Sequence, residues 1–219
     1  MAVHARQQTE YSLIDFLIEN ELEYIKNYIT DQSKLLRLHE QNVEEMIEKE
    51  TTWVDGKPYL PFHIDTMFNS SFFTYNIFHK STFITLYSFL ESLLKEISRI
   101  ERDKSKLKIS PKDLKGQGVL QYKDYLTKVI QIDFDELTPV WTKVNEARIV
   151  RNYLVHDYLD YSDRTEFGEL EKISKASPYI SFDTQNRAIS ITDAKYLLEF
   201  CATIELFINS LLRILKENR

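Results

Sequence analysis

Leu197-Leu-Glu-Phe-Cys201-Ala-Thr-Ile204-Glu-Leu-Phe-Ile208-Asn-Ser-Leu211-Leu-Arg-Ile-Leu215 decides the fold class. Leu197, Cys201, Ile204, Ile208, Leu211 and Leu215 recur at intervals of four, three, four, three and four. That period places them on one face of a helix, which must be covered along its whole length. Thr192-Asp193 marks its start. Upstream, Tyr179-Ile-Ser-Phe182 and Ala188-Ile-Ser-Ile191 alternate in polarity around Asp183 to Arg187 and predict one small β-hairpin.

A matching stripe runs through Phe83, Leu86, Leu90, Leu93, Ile97 and Ile100, within a helix expected over 65–102. Thr138-Pro139 opens another, holding Trp141, Val144, Ala147, Ile149 and Val150 and ending near Asp157 or Tyr158. Ser110-Pro111-Lys112-Asp113 has the capping serine, early proline and early acid of a helix start, and a modest helix follows over Leu120 to Ile130. Residues 11–50 read as helix, with Ile14, Ile18, Leu22, Ile25 and Ile29 on one face, and 51–65 as loop. A short helix fits between Glu166 and Lys175. The expected fold is all-α: an antiparallel helical bundle with one small β-hairpin before the C-terminal helix, as a single domain over 1–219.

Composition narrows the class. Four Gly and five Pro in 219 residues are too few for an all-β chain. No apolar run approaches the ~20 residues of a membrane span. Residues 1–11 lack the order of a secretory signal, and Cys201 is the single cysteine, so a cytoplasmic setting is expected. A net charge of −6 argues against broad nucleic-acid binding. Between Arg99 and Lys115, however, seven cations oppose only Glu101, Asp103 and Asp113. Arg102, Lys104, Lys106 and Lys108 are therefore candidates for a phosphate backbone; a solvated lysine-rich face is the simpler reading.

The chemistry-bearing feature is Arg151-Asn152-x-x-x-His156. Residues four apart share a helix face, so Asn152 and His156 stack, with Arg148 one turn before Asn152. Arg151 continues the line of Val140, Val144 and Ala147, which puts a cation where burial is expected. A charge there costs free energy unless it is paired or used. With ten Arg, five His and ten Asn in the chain, chance produces the full spacing in about 0.01 chains.

This signature, at the end of Trp141-Thr-Lys-Val-Asn-Glu-Ala-Arg-Ile-Val-Arg-Asn152, resembles the HEPN superfamily. Leu86-Tyr-Ser-Phe-Leu-Glu91 is similar to the family's earlier helix, where an acid sits in an aromatic-rich stripe. Asp113-Leu-Lys-Gly-Gln-Gly118 and the hairpin before a terminal helix resemble its larger, defence-associated RiboL-PSP branch. The resemblance covers 65–219 and leaves 1–50 as an N-terminal helical extension.

It implies metal-independent RNA cleavage, by attack of the ribose 2′-OH on the adjacent phosphate to leave a 2′,3′-cyclic phosphate, with no cofactor or metal. In that scheme His156 transfers protons, Arg151 grips the phosphate with its fork, and Asn152 orients neighbours. Two facing motifs are then needed, so a homodimer across the Arg151/His156 face is implied. Glu91 would fix the arginine, or be a plain acid beside the stripe. Tyr158 resembles the acceptor of an inactivating nucleotide modification in toxins paired with a nucleotidyltransferase antitoxin, although packing also explains it. The alternative to a nuclease is a non-catalytic HEPN module that binds RNA or nucleotide or regulates a partner.

Overall fold

The structure, a computed structural model, describes residues 11–156 and 167–217, apart from the side chains of Phe68 and His156. Helix α1 runs over 11–50, π-wound at Leu17–Glu21 and α-helical through Leu22–Glu50. Helix α2 spans Phe62–Lys104, α3 Gly118–Lys128, α4 Thr138–His156, α5 Phe167–Ala176 and α6 Lys195–Glu217. Strands β1 (Thr52–Val54) and β2 (Lys57–Tyr59) join α1 to α2, and β3 (Ile180–Asp183) and β4 (Ala188–Ile191) precede α6.

The architecture is an all-α bundle with small hairpins, as the helical periodicities require. Leu197, Cys201, Ile204, Ile208 and Leu211 of α6 are fully buried. Asp193 Oδ1 caps this helix by accepting the Lys195 backbone N–H at 2.8 Å. Around α6 pack α1, α2 and α4, and their buried side chains form one continuous core. Tyr11, Ile14, Ile18, Leu22 and Ile29 belong to that core, so the first half of α1 is integral to the bundle. In its second half few side chains are buried, Ser33 and Val43 among them.

The region 51–65, expected as loop, contains the β1–β2 hairpin in register Val54↔Lys57. Asp55 and Gly56 both adopt positive φ, the two-residue turn that Asp-Gly favours. Every strand residue there is exposed, so no polar–apolar alternation announced it. A second difference lies at Ser110. Its side chain and backbone N–H both engage Asp113, but only the 3-10 turn Pro111–Asp113 follows. Gly116 and Gly118 then take positive φ, which postpones the α-helix to Gly118.

The predicted β3–β4 hairpin forms, pairing Ile180 with Ile191 and Asp183 with Ala188. It docks on the end of α4 through the rings of Tyr153, Phe167 and Phe182, whose centroids lie 5.9 to 6.2 Å apart. The Tyr153 hydroxyl also donates to the Arg187 backbone carbonyl in the hairpin turn. Among the described residues, no helix is long and apolar enough to cross a membrane.

Candidate functional site

Helix α4 packs against α2 and α6 by a face on which Val144 and Ala147 are buried. Arg151 comes one turn after Ala147 on that face and is half-buried. Opposite it α2 presents Tyr87, and the guanidinium carbon lies 5.6 Å from the ring centroid. Arg151 Nη1 donates to Asn152 Oδ1 at 3.2 Å. Its Nε is buried and has no hydrogen-bond partner. Among the described residues, no carboxylate stands within ion-pairing distance of it. The cation on the packing seam is therefore held by an aromatic face and a neutral amide.

Glu91 is one turn beyond Tyr87 on α2, and its carboxylate lies beside Gly118. A Cβ added at Gly118 would stand 3.8 Å from Glu91 Oε1. No ion pair joins Glu91 to Arg151 among the described residues; both act instead on the Tyr87 hydroxyl. Burial raises the pKa of that hydroxyl most, Glu91 raises it further, and Arg148 and Arg151 oppose. Tyr87 is thus held as a neutral phenol. Burial and then Glu91 likewise raise Tyr122. Arg148 reaches this cluster electrostatically, while its Nε donates to Asn145 Oδ1 at 2.9 Å, one turn back.

His156 is the last residue of α4, so helix continuity places it one turn beyond Asn152. The His156 imidazole and the whole of Tyr158 lie outside the described residues.

The basic stretch falls elsewhere. Arg102 is about 22 Å along α2 from Tyr87. Its Nη2 is 2.7 Å from Asp103 Oδ1. Lys104 pairs with the buried Glu101 at 3.0 Å and lies over the Tyr11 ring. Tyr11 also donates its hydroxyl to Glu101. Lys104 therefore ties α1 to α2. Lys106 and Lys108 are exposed on the following loop.

Two tyrosines were missed. Tyr87 was visible only as part of an aromatic stripe, because its contact with Arg151 depends on the register of α2 against α4. Tyr153, an unassigned position inside the motif, anchors the hairpin beside a groove of about 360 Å³. Among the described residues, no three His, Cys, Asp or Glu side chains converge to hold a metal. His79 is buried in the core with Nδ1 2.7 Å from the Ile191 carbonyl.

Comparison with family models, curated proteins and solved structures finds no match to this chain.

Proposed function

We propose that the chain is a HEPN-type endoribonuclease that cleaves RNA without metal, as a cytoplasmic dimer whose two motifs face each other. The observation that carries this reading is Arg151: a half-buried guanidinium on an apolar seam, with a partnerless buried Nε and no carboxylate among its described neighbours. A buried donor left unmade costs about 1–3 kcal/mol. A site that receives a phosphate recovers that cost through charge-assisted bonds to the same fork.

In the reaction, one His156 imidazole takes the proton of the ribose 2′-OH as its oxygen bonds to phosphorus. The bond from phosphorus to the 5′-oxygen breaks, and the imidazolium of the second copy protonates that leaving oxygen. The products are a 2′,3′-cyclic phosphate and a 5′-OH. Arg151 neutralises charge on the phosphoryl oxygens, and Asn152 holds the arginine through the bond already formed. A role as a toxin or antiviral effector, restrained by an antitoxin or by a nucleotidyltransferase acting on Tyr158, follows from the same resemblance.

The test incubates RNA with purified protein in EDTA, beside His156→Ala and Arg151→Ala. Cleavage by wild type that both substitutions abolish supports the reading. Cleavage that survives both, or that chelation removes, overturns it. Binding without cleavage favours the non-catalytic module.

A further inference from the structure

Helix α1 packs on α2 along a line in which Ile29, Ser33, Leu36, Glu40, Val43 and Ile47 follow one another at four, three, four, three and four residues. Glu40 is the one ionised side chain on this line, at a position where the period calls for burial. Ser33 and Val43 are buried, whereas Glu40 is exposed. A groove of about 290 Å³ opens there between the two helices. Leu36 and Val43 of α1 line it with Phe72 and Tyr75 of α2, and Ile191 of β4 joins them. His39, Asn76 and three hydroxyl side chains complete the lining beside Glu40 and Glu44.

We infer that this groove receives a basic amphipathic helix of a partner protein, with apolar side chains seated on Leu36, Phe72 and Tyr75 and cations set against Glu40 and Glu44. Phe72 is 61% exposed, which leaves most of an aromatic ring to be covered by an anchor. Glu40 and Glu44 are four residues apart on α1, so their carboxylates share one rim, where like charges repel. Glu48, also exposed, continues that rim one turn farther, to a length of about 12 Å. Among the described residues, no lysine or arginine lines the groove, and neither Glu40 nor Glu44 has an ion-pair partner. Their neighbour Glu45, outside the lining, pairs with Lys49 at 3.6 Å.

The charge of the rim decides among occupants. A two-fold pairing of this face with a second copy would set Glu40 and Glu44 against their own counterparts, which costs free energy. The phosphates of RNA or of an anionic lipid surface carry the same sign as the rim. A cationic segment gains from it. The groove runs between two helices, so a third helix laid along it packs ridge into groove and reaches it with anchors at successive turns. The lining shares no residue with the cluster around Arg151, so this inference goes beyond the nuclease reading and does not depend on it.

The probe is a fluorescein-labelled amphipathic helix of about 14 residues, leucine on one face and lysine on the other, titrated with the full chain and followed by anisotropy. The same peptide with glutamate for lysine is the control, and is expected to bind at least about tenfold more weakly. Phe72→Ala is expected to weaken binding of the lysine peptide about tenfold. Glu40→Gln and Glu44→Gln together are expected to weaken it about fivefold and to flatten its salt dependence. Glu45→Gln, the same change of charge outside the lining, is expected to leave affinity within about twofold of wild type. No binding of the lysine peptide, equal binding of both peptides, or affinity that the groove variants leave unchanged overturns the inference, as does an equal loss in Glu45→Gln. Sedimentation of the chain alone and its flotation with phosphatidylglycerol vesicles test the other occupants. Self-association or vesicle binding that Phe72→Ala abolishes assigns the face to a second copy or to lipid, and overturns the inference as well.

Discussion

The Arg151 guanidinium carbon lies 5.6 Å from the centre of the Tyr87 ring, and this contact joins the motif on α4 to the aromatic stripe on α2. Burial first and Glu91 second hold the Tyr87 hydroxyl neutral. The arginine therefore rests on a π face beside an uncharged donor, with its charge available to an incoming anion. A carboxylate in the same place would compete with phosphate for the same fork.

Tyr87→Leu should consequently lower kcat/KM for RNA by up to about tenfold, the scale of a partly desolvated cation–π contact. Tyr87→Phe retains the ring and should restore most of the activity. Steady-state cleavage of one oligoribonucleotide by the three proteins decides it. Equal losses in both variants would transfer the role from the ring to the hydroxyl.

Lys104 gives a prediction of the opposite kind. Its side chain and that of Glu101 are only 15% and 10% exposed, and Tyr11 closes the cluster from α1. Lys104→Ala leaves a buried carboxylate without its cation, and should destabilise the fold by about 3 kcal/mol. RNA affinity should not change. Lys106→Ala, at an exposed position, should stay within about 0.5 kcal/mol of wild type. Denaturant midpoints of the two variants, read beside oligonucleotide binding, test both statements.

Gly118 has φ +60° against the Glu91 carboxylate. An added Cβ would meet Glu91 at an ordinary 3.8 Å, so the expected penalty comes from backbone conformation alone. Gly118→Ala should lower stability by about 1 kcal/mol. A thermal melt of the variant reads this directly, and a much larger loss would mean that Glu91 cannot give way.

These residues show which parts were legible in the sequence. Leu197 to Leu215 specified a buried helix because one periodicity satisfied every position, and Val144, Ala147 and Arg151 specified a seam with a cation on it. The β1–β2 hairpin was hidden because both strands face solvent, leaving Asp55-Gly56 as its one signal. The charge count at Arg99 to Lys115 could not show how its charges pair. Glu96, just outside it, binds Arg99 Nη2 at 2.6 Å, and Glu101 is buried against Lys104. The Tyr87–Arg151 contact and the groove beyond it depend on how α2 and α4 align, which no local pattern encodes.

His79 links the fold to pH. Its Nδ1 lies 2.7 Å from the Ile191 carbonyl, which only accepts, so the proton resides on Nδ1. Nε2 is buried with no partner, and the Tyr75 ring packs edge-on at 4.6 Å. Protonating Nε2 would bury a charge, and this desolvation lowers the His79 pKa, against smaller opposing effects of the Ile191 bond and Asp193. Below about pH 6.5 the unfolded chain takes a proton that the folded chain refuses. Stability from this group is therefore complete above that pH and falls as pH drops towards the lower folded value, by up to about 1.4 kcal/mol per pH unit. Replacing His79 with Asn keeps a donor near the Nδ1 position but cannot titrate. Urea midpoints at about pH 7.5 and about pH 5.5 should differ less for His79→Asn than for wild type. An unchanged difference would show that the acid sensitivity arises elsewhere in the core.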